Sequence, residues 1–195
     1  MPGAIIGIMG KQRSGKTLIA YKLCKSIQDT CRASGYNLPV YTNLYSPDDD
    51  FNYISSLDQF PLDLRPKIFL VDEIYNGCDA QDYKKLKDIS IFINTIGKQN
   101  CLFIFTTIDA SMVYNRIRGQ MNLAVLVKAD SVRIFYKLIH MDSGSSNVFE
   151  VNKTPALFND VRYDTNFIPP PFDWSMSAWN DKLKSYYSQY YDIHL

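Results

Sequence analysis

Apolar positions along this chain fall into two patterns, and each predicts a different element. The first is the short unbroken run. "PGAIIGIM" closes at Gly10, "KIFLVDEIY" covers 67–75 and ends in two acids, and "NCLFIFTTI" covers 100–108. Runs of this length without polar alternation predict strands covered on both faces. "LPVYTNLY" (38–45), rich in β-formers, predicts a further strand. The second pattern is helical spacing. After Thr17 the apolar residues Ala20, Leu23, Cys24, Ile27 and Cys31 recur on one face until Gly35. In "AQDYKKLKDISIFINTIGK" the face is Tyr83, Leu86, Ile89/Ser90 and Ile93. "SPDDDFNYISSLDQFPLDLRP" between them predicts a polar loop with a short helical piece.

Strands alternate with helices to about residue 120, which predicts a mainly parallel sheet flanked by helices. Beyond that point "NLAVLVKAD" and "SVRIFYKLIH", joined by the turn-like "KADS", predict an antiparallel hairpin, and "NVFEVN" adds a short strand. The texture changes near residue 155: "TNFIPPPFDW" is held extended by its prolines. "SMSAWNDKLKSYYSQYY" then places Trp179, Leu183, Tyr186/Tyr187 and Tyr190 on one helical face, suited to packing on the core or on a neighbouring subunit. The expected organisation is a core over residues 1–154 and a C-terminal extension over 155–195 carrying an aromatic amphipathic helix.

Composition narrows the picture without redirecting it. At 195 residues and 46% hydrophobic, the chain can bury a core as one domain with an appendage. Lys+Arg number 21 against 20 Asp+Glu, so the chain is no general polyanion binder; contact with nucleic acid needs a local patch or a ring of subunits. Cys24, Cys31, Cys78 and Cys101 show no paired spacing, and with only His140 and His194 beside them they predict structural thiols in a reducing cytosol. "MPGAIIGIMG" lacks a basic leader, and no apolar run reaches the ~20 residues of a membrane span, so a soluble protein is expected.

One stretch carries explicit chemistry. Gly10-Lys11-Gln12-Arg13-Ser14-Gly15-Lys16-Thr17 matches the phosphate-binding loop in full, after a predicted strand and before a predicted helix. Its glycines let backbone N–H groups turn inward around a β-phosphate, Lys16 reaches the β/γ oxygens, and the Thr17 hydroxyl ligates Mg²⁺. The helix points its positive end at the same anion. A nucleoside triphosphate, ATP, and Mg²⁺ are the expected ligands. In "IFLVDEI", Asp72 sits where a strand end completes the metal site beside Thr17, and Glu73 is placed to polarise a water for attack on the γ-phosphate. Small nucleotide kinases also begin with such a loop, but they usually carry an Arg-rich lid. Between residues 75 and 160 the arginines are only Arg116, Arg118 and Arg133, so hydrolysis is favoured over transfer.

The run "CLFIFTTI" ends in Thr106-Thr107. In the additional-strand class of P-loop ATPases a polar residue at this strand tip touches the γ-phosphate, and either threonine can serve, although threonine is also an ordinary strand residue. The expected fold is then the P-loop NTPase with an additional central strand, predicted strands ordered 5-1-4-3-2. Three arginines could act as a finger on transition-state charge: Arg13 in the loop itself, and Arg116 or Arg118 across a subunit boundary. A solvated surface arginine is the plainer reading of each.

The order of the loop, "PVYTNLY", "IFLVDEIY" and "CDAQDYKKLKDISIFINTIGKQNCLFIFTTIDASMVYNRIRGQMN" resembles the FtsK–HerA-like ATPases of viruses and mobile elements, over roughly residues 3–128. These include genome-packaging ATPases of membrane-containing icosahedral viruses and Zot-like assembly ATPases of filamentous phages. Family members often have Asp-Ser-Arg where this chain has Asp79-Ala80-Gln81, Arg-Lys where it has Gly97-Lys98, and Thr-Gln where it has Thr107-Ile108. Thr107 is then the nearest polar group for the sensor. The resemblance implies an ATP-hydrolysing motor that works as a homo-oligomeric ring and moves double-stranded DNA without reading sequence. It also implies a capsid or membrane protein as docking partner, in host cytoplasm or on the virion. The pore segment it implies is Tyr83-Lys84-Lys85-Leu86-Lys87, equally readable as a solvated helix face. Two rival readings are an assembly or secretion ATPase of the Zot-like kind and a nucleotide switch without motor activity.

Overall fold

The computed structural model describes residues 3–76 and 83–194, with positions 83–86 described for their backbone only. Its centre is an eight-stranded sheet in the order β3-β2-β4-β5-β1-β6-β7-β8. The strands are β1 (Ala4–Met9), β2 (Val40–Thr42), β3 (Phe51–Tyr53), β4 (Lys67–Val71), β5 (Cys101–Thr107), β6 (Leu123–Ala129), β7 (Arg133–His140) and β8 (Ser146–Asn152). The helices are α1 (Lys16–Ala33), α2 (Tyr83–Thr95), α3 (Asn115–Gly119), α4 (Pro155–Asn159) and α5 (Trp179–Tyr191).

Pairing is parallel from β3 through β6 and antiparallel for β6/β7 and β7/β8. The five strands expected in the order 5-1-4-3-2 are β6-β1-β5-β4-β2, so β5 is the strand inserted between the loop-bearing strand and the acidic strand. The three-residue β3 was not expected. It lies within the predicted polar loop, whose short helical piece is the 3-10 turn Leu57–Gln59. The short helices α3 and α4 were also not expected.

Burial on both faces explains the unbroken apolar runs. Successive residues of a strand point to opposite sides, so a strand covered twice needs apolar residues at every position. One face packs Ile6, Ile8, Ile68, Leu70 and Ile104 against Leu18, Ala20, Tyr21 and Cys24 of α1. The other packs Ile5, Phe69, Val71, Phe103 and Phe105 against Ile89, Phe92 and Ile93 of α2 and Ile117 of α3. Cys24 and Cys101 are buried free thiols and Cys31 is a half-buried one. Burial pushes the Cys101 thiol up to about 12, which keeps it protonated and unreactive. Cys78 lies outside the described residues.

The second face is completed by the extension. Phe172 and Trp174 are buried among Phe69, Phe92 and Phe103, with Phe172 and Trp174 ring centroids 5.0 Å apart. Leu57 N–H donates to Asp173 C=O (2.8 Å) and Asp173 N–H to Ser55 C=O (3.0 Å), which stitches this segment to the chain after β3. The tyrosine helix α5 contributes no buried residue. Tyr186 contacts Tyr187, Tyr190 and Tyr191, and the helix is tied down by Lys182 Nζ on Phe60 C=O (2.5 Å) and by hydrogen bonds of Ser177 and Ala178 to Asp58. The expected face of α5, Trp179, Leu183, Tyr186/Tyr187 and Tyr190, is the half-buried side of that helix, while the extended Phe172–Trp174 stretch supplies the fully buried side chains. Among the described residues no helix is long and apolar enough to cross a membrane.

Candidate functional site

The parallel strands β1, β4 and β5 end at one edge of the sheet, and the residues just beyond them form the site. Gly10 follows β1 so closely under β6 that a Cβ there would meet Val127 O at 2.3 Å and Ser14 Oγ at 2.8 Å. Only glycine fits. Gly10 N–H donates to Thr107 C=O (3.2 Å), extending the β1/β5 ladder into the loop, and Ser14 N–H donates to Lys11 C=O (3.2 Å). Arg13 (φ 60°) and Gly15 (φ 94°) take left-handed conformations, which turn the loop and start α1 at Lys16. Curled backbone at a helix N-terminus is the geometry that receives phosphate.

Lys16 Nζ lies across the loop and donates to Lys11 C=O (2.9 Å). Burial pulls its pKa down, and the carboxylates of Asp72 and Glu73 oppose that. Ser14 Oγ is buried with no hydrogen-bond partner among the described residues, a polar atom of the loop still to be satisfied.

Opposite the loop, β4 stops at Val71, and Asp72 and Glu73 lie in the turn that follows instead of continuing the strand. Glu73 (φ 52°) makes that turn. Asp72 is buried and held from several sides. Thr17 Oγ1 donates to its carboxylate (3.0 Å to Oδ1, 3.1 Å to Oδ2), and Thr106 Oγ1 donates to Oδ1 (2.7 Å). Its N–H donates to Asn43 Oδ1 (2.8 Å), and Asn43 Nδ2 donates to its C=O (3.0 Å). Burial pushes the Asp72 pKa up, while the hydrogen bonds from Thr106 and Thr17 pull it down. A buried carboxylate and a hydroxyl facing each other form a hard-oxygen pair of the kind that suits Mg²⁺, so these two residues fit that ion. Glu73 N–H donates to Thr106 Oγ1 (2.8 Å), and Glu73 Oε2 accepts from Asn76 Nδ2 (2.9 Å).

Ser14, Lys16, Thr17, Asp72 and Glu73 line a cleft of about 540 Å³ together with Gln12, Arg13, Leu18 and Leu44. The cleft has a second wall that the sequence did not disclose: Ile134 of β7, Lys153 just after β8 and, from the extension, Phe158, Tyr163, Asp164, Phe167 and Ile168. Tyr163 packs on Tyr21 of α1 (5.3 Å), and burial, with Asp72's charge adding to it, pushes its hydroxyl up to about 12.

The other expected residues are distributed as follows. Thr106 meets Asp72, whereas the Thr107 hydroxyl donates to Asp109 C=O (3.1 Å), away from that carboxylate. Strand alternation explains the difference: Thr106 shares the α1 face with Ile104, and Thr107 lies on the face of Phe103 and Phe105. Ile108 lines a separate cleft behind the loop with Lys11, Asp109 and Leu126. Arg116 is exposed on α3, and Arg118 donates to Asn115 Oδ1 (2.8 Å) and Ala110 C=O (3.4 Å); neither lines the cleft of Lys16. Lys87 is exposed, while the side chains of Tyr83, Lys84, Lys85 and Leu86, and all of Asp79-Ala80-Gln81, lie outside the described residues. Asn43 escaped sequence reading, though a signal was there: Thr42-Asn43 is a polar pair inside the apolar stretch "LPVYTNLY".

No protein-family model matches the chain, and no curated protein matches it in sequence. Solved structures do match in fold. The N-terminal domain of zonular occludens toxin from Neisseria meningitidis superposes with a TM-score of 0.62 at 14% identity, covering 84% of this chain and 100% of that one. The DNA-packaging ATPase B204 of Sulfolobus turreted icosahedral virus gives 0.51 at 11% identity, covering 74% of this chain and 96% of that one. The genome packaging NTPase B204 of Sulfolobus turreted icosahedral virus 2, in complex with ATP-gammaS, gives 0.53 at 9% identity, with 74% and 96% covered. The fold is that of these P-loop ATPases.

Proposed function

We propose that this chain is an ATP-hydrolysing motor that translocates double-stranded DNA, the genome-packaging ATPase of a virus, working as a homo-oligomeric ring. The observation that carries the nucleotide chemistry is the Asp72 carboxylate set on the Thr17 hydroxyl at the mouth of the loop that holds Lys16. The likeness in fold to packaging ATPases supports DNA as the moved substrate.

In this reading the loop N–H groups and Lys16 bind the β- and γ-phosphates. Thr17 and Asp72 would hold Mg²⁺, which supplies charge neutralisation at the phosphate oxygens. Thr106 keeps the Asp72 carboxylate turned toward Thr17 and, by accepting from Glu73 N–H, fixes where the next residue starts. Glu73 is the base that takes the proton of the attacking water. Arg13 lines the cleft and is the finger candidate within the subunit; Arg116 and Arg118 would serve a neighbour's nucleotide.

A second reading, an assembly ATPase acting on protein, is favoured by the fit of the zonular occludens toxin domain over 84% of this chain. The ATP hydrolysis rate, measured with and without long double-stranded DNA at low salt, separates them. Stimulation by DNA is expected. Turnover indifferent to DNA would overturn the packaging reading in favour of a protein substrate, and binding without turnover would leave a switch.

A further inference from the structure

The wall of the cleft built by the extension has no part in phosphate or metal chemistry. After β8 the chain forms α4, crosses the first turns of α1 and reaches β2 and β3. It is fastened along the way. Asp160 pairs with Lys22 (3.6 Å) and Arg162 with Asp48 (3.7 Å), the Tyr163 ring packs at a tilt on Tyr21, and Asp164 N–H donates to Tyr45 C=O (3.2 Å). Phe167 then packs against Tyr45 (5.9 Å) and Tyr53 (6.0 Å). The fastenings leave large apolar side chains uncovered on the cleft: Phe158 is 47% exposed and Ile168 87% exposed. Ile134 lies beside them and reaches the loop, since a Cβ on Gly15 would meet its Cδ1 at 3.1 Å.

We propose that this segment builds the nucleoside end of the site. Phe158 and Ile168 would cover the flat apolar faces of a purine, and Asp164 and Thr165 would meet its polar edge and the ribose hydroxyls. Two further observations support this. The cleft volume of about 540 Å³ lies in the range of sites that hold a whole small-molecule ligand, about 300–1,000 Å³, more room than a triphosphate chain needs. Its lining also differs between its two walls, from the charged loop residues Arg13 and Lys16 to mainly apolar side chains with the Asp164 carboxylate and the Tyr163 and Thr165 hydroxyls, as the two ends of a nucleotide differ. A carboxylate is an acceptor only, so Asp164 selects for N–H or O–H groups on what it meets.

The inference rests on the reading that the loop binds a triphosphate, and the test separates the two. Calorimetric titration in Mg²⁺ buffer compares ATP with inorganic tripolyphosphate on the wild type, on Phe158→Ala/Ile168→Ala and on Lys16→Ala. The wild type is expected to bind ATP at least tenfold more tightly than tripolyphosphate. The double variant is expected to lose about tenfold in ATP affinity while tripolyphosphate affinity stays put, and Lys16→Ala to weaken both ligands. An ATP affinity unaltered in the double variant, or an equal loss for both ligands, overturns the inference and leaves the loop reading standing. A wild type that binds neither ligand, or a Lys16→Ala variant that binds as the wild type does, overturns the loop reading and the inference together. Thermal melting checks the fold of each variant. Ile168→Ser is the second probe: at 87% exposure its side chain has little to contribute to folding, and the same selective loss is expected of it.

Discussion

At the scale of single residues the site trades stability for chemistry, and Asp72 shows it. Burial holds its pKa above the unfolded carboxylate value of about 3.9. The folded chain therefore binds a proton there more tightly than the unfolded chain. That contribution is fully present below the unfolded pKa and is lost as pH rises through the folded pKa. At neutral pH the ionised carboxylate burdens the nucleotide-free protein, so Asp72→Asn should raise stability by ~1 kcal/mol, or about 2–4 °C in Tm. Melting curves across pH check this: the gap between variant and wild type should close on acidification, and Mg-ATP should stabilise the wild type but not the variant. A lower Tm for Asp72→Asn at pH 7 would mean that its hydrogen bonds outweigh the burial of its charge. Glu73 is the contrasting case, because it is not buried and, among the described residues, its carboxylate is hydrogen-bonded from its own turn. Glu73→Gln should bind ATP as the wild type does and lose about 10²–10⁴-fold in turnover, the usual worth of a positioned base. Nucleotide binding alongside single-turnover hydrolysis reads both, and undiminished hydrolysis would remove Glu73 from the mechanism.

At the scale of elements, what was legible in the sequence depended on whether an element is recognised locally. The strands β1, β4, β5 and β6 and the helices α1 and α2 each carry enough residues to show a period or an unbroken run. The glycine-containing loop before α1 is recognised by spacing alone. The three-residue β3 has no period to show, and α3 and α4, at five residues each, barely exceed one turn. The choice between Thr106 and Thr107 is a question of strand phase, and a strand buried on both faces hides its phase because its residues show no apolar/polar alternation. Least legible was the extension, whose role comes from partners more than 80 residues away in sequence, such as Met176 N–H to Asp88 Oδ2 (3.2 Å, separation 88). Trp174 is 0% exposed and sits in the cluster of Phe69, Phe92 and Phe103. Trp174→Ala should cost about 3–5 kcal/mol, a large share of the ~5–15 kcal/mol of a typical domain. A urea midpoint reads this, and a loss below ~1 kcal/mol would show the extension to be peripheral to the fold.

At the scale of the whole molecule, charge sets what the proposed motor can hold. With 21 basic against 20 acidic side chains, one subunit has no field to retain a polyanion, and retention must come from a few lysines repeated around a ring. The first turns of α2 are where such a set falls: Lys84, Lys85 and Lys87 lie within four residues, on an element separate from the nucleotide cleft, with Lys87 exposed. Neutralising phosphates releases counterions, so the logarithm of affinity for double-stranded DNA falls linearly with the logarithm of salt, with a slope of about −0.9 per phosphate neutralised. Affinity of the wild type for long double-stranded DNA should therefore weaken steeply with salt and be indifferent to base sequence. Replacing the three lysines with alanine should flatten the slope by about one for each phosphate that is no longer neutralised. The slope is more telling than affinity at one salt concentration, because a variant that merely assembles poorly binds less DNA without changing the number of phosphates each ring neutralises. An unchanged slope would remove this turn of α2 from the DNA path, and no retention of DNA even at low salt would move the proposal from a DNA substrate to a protein one.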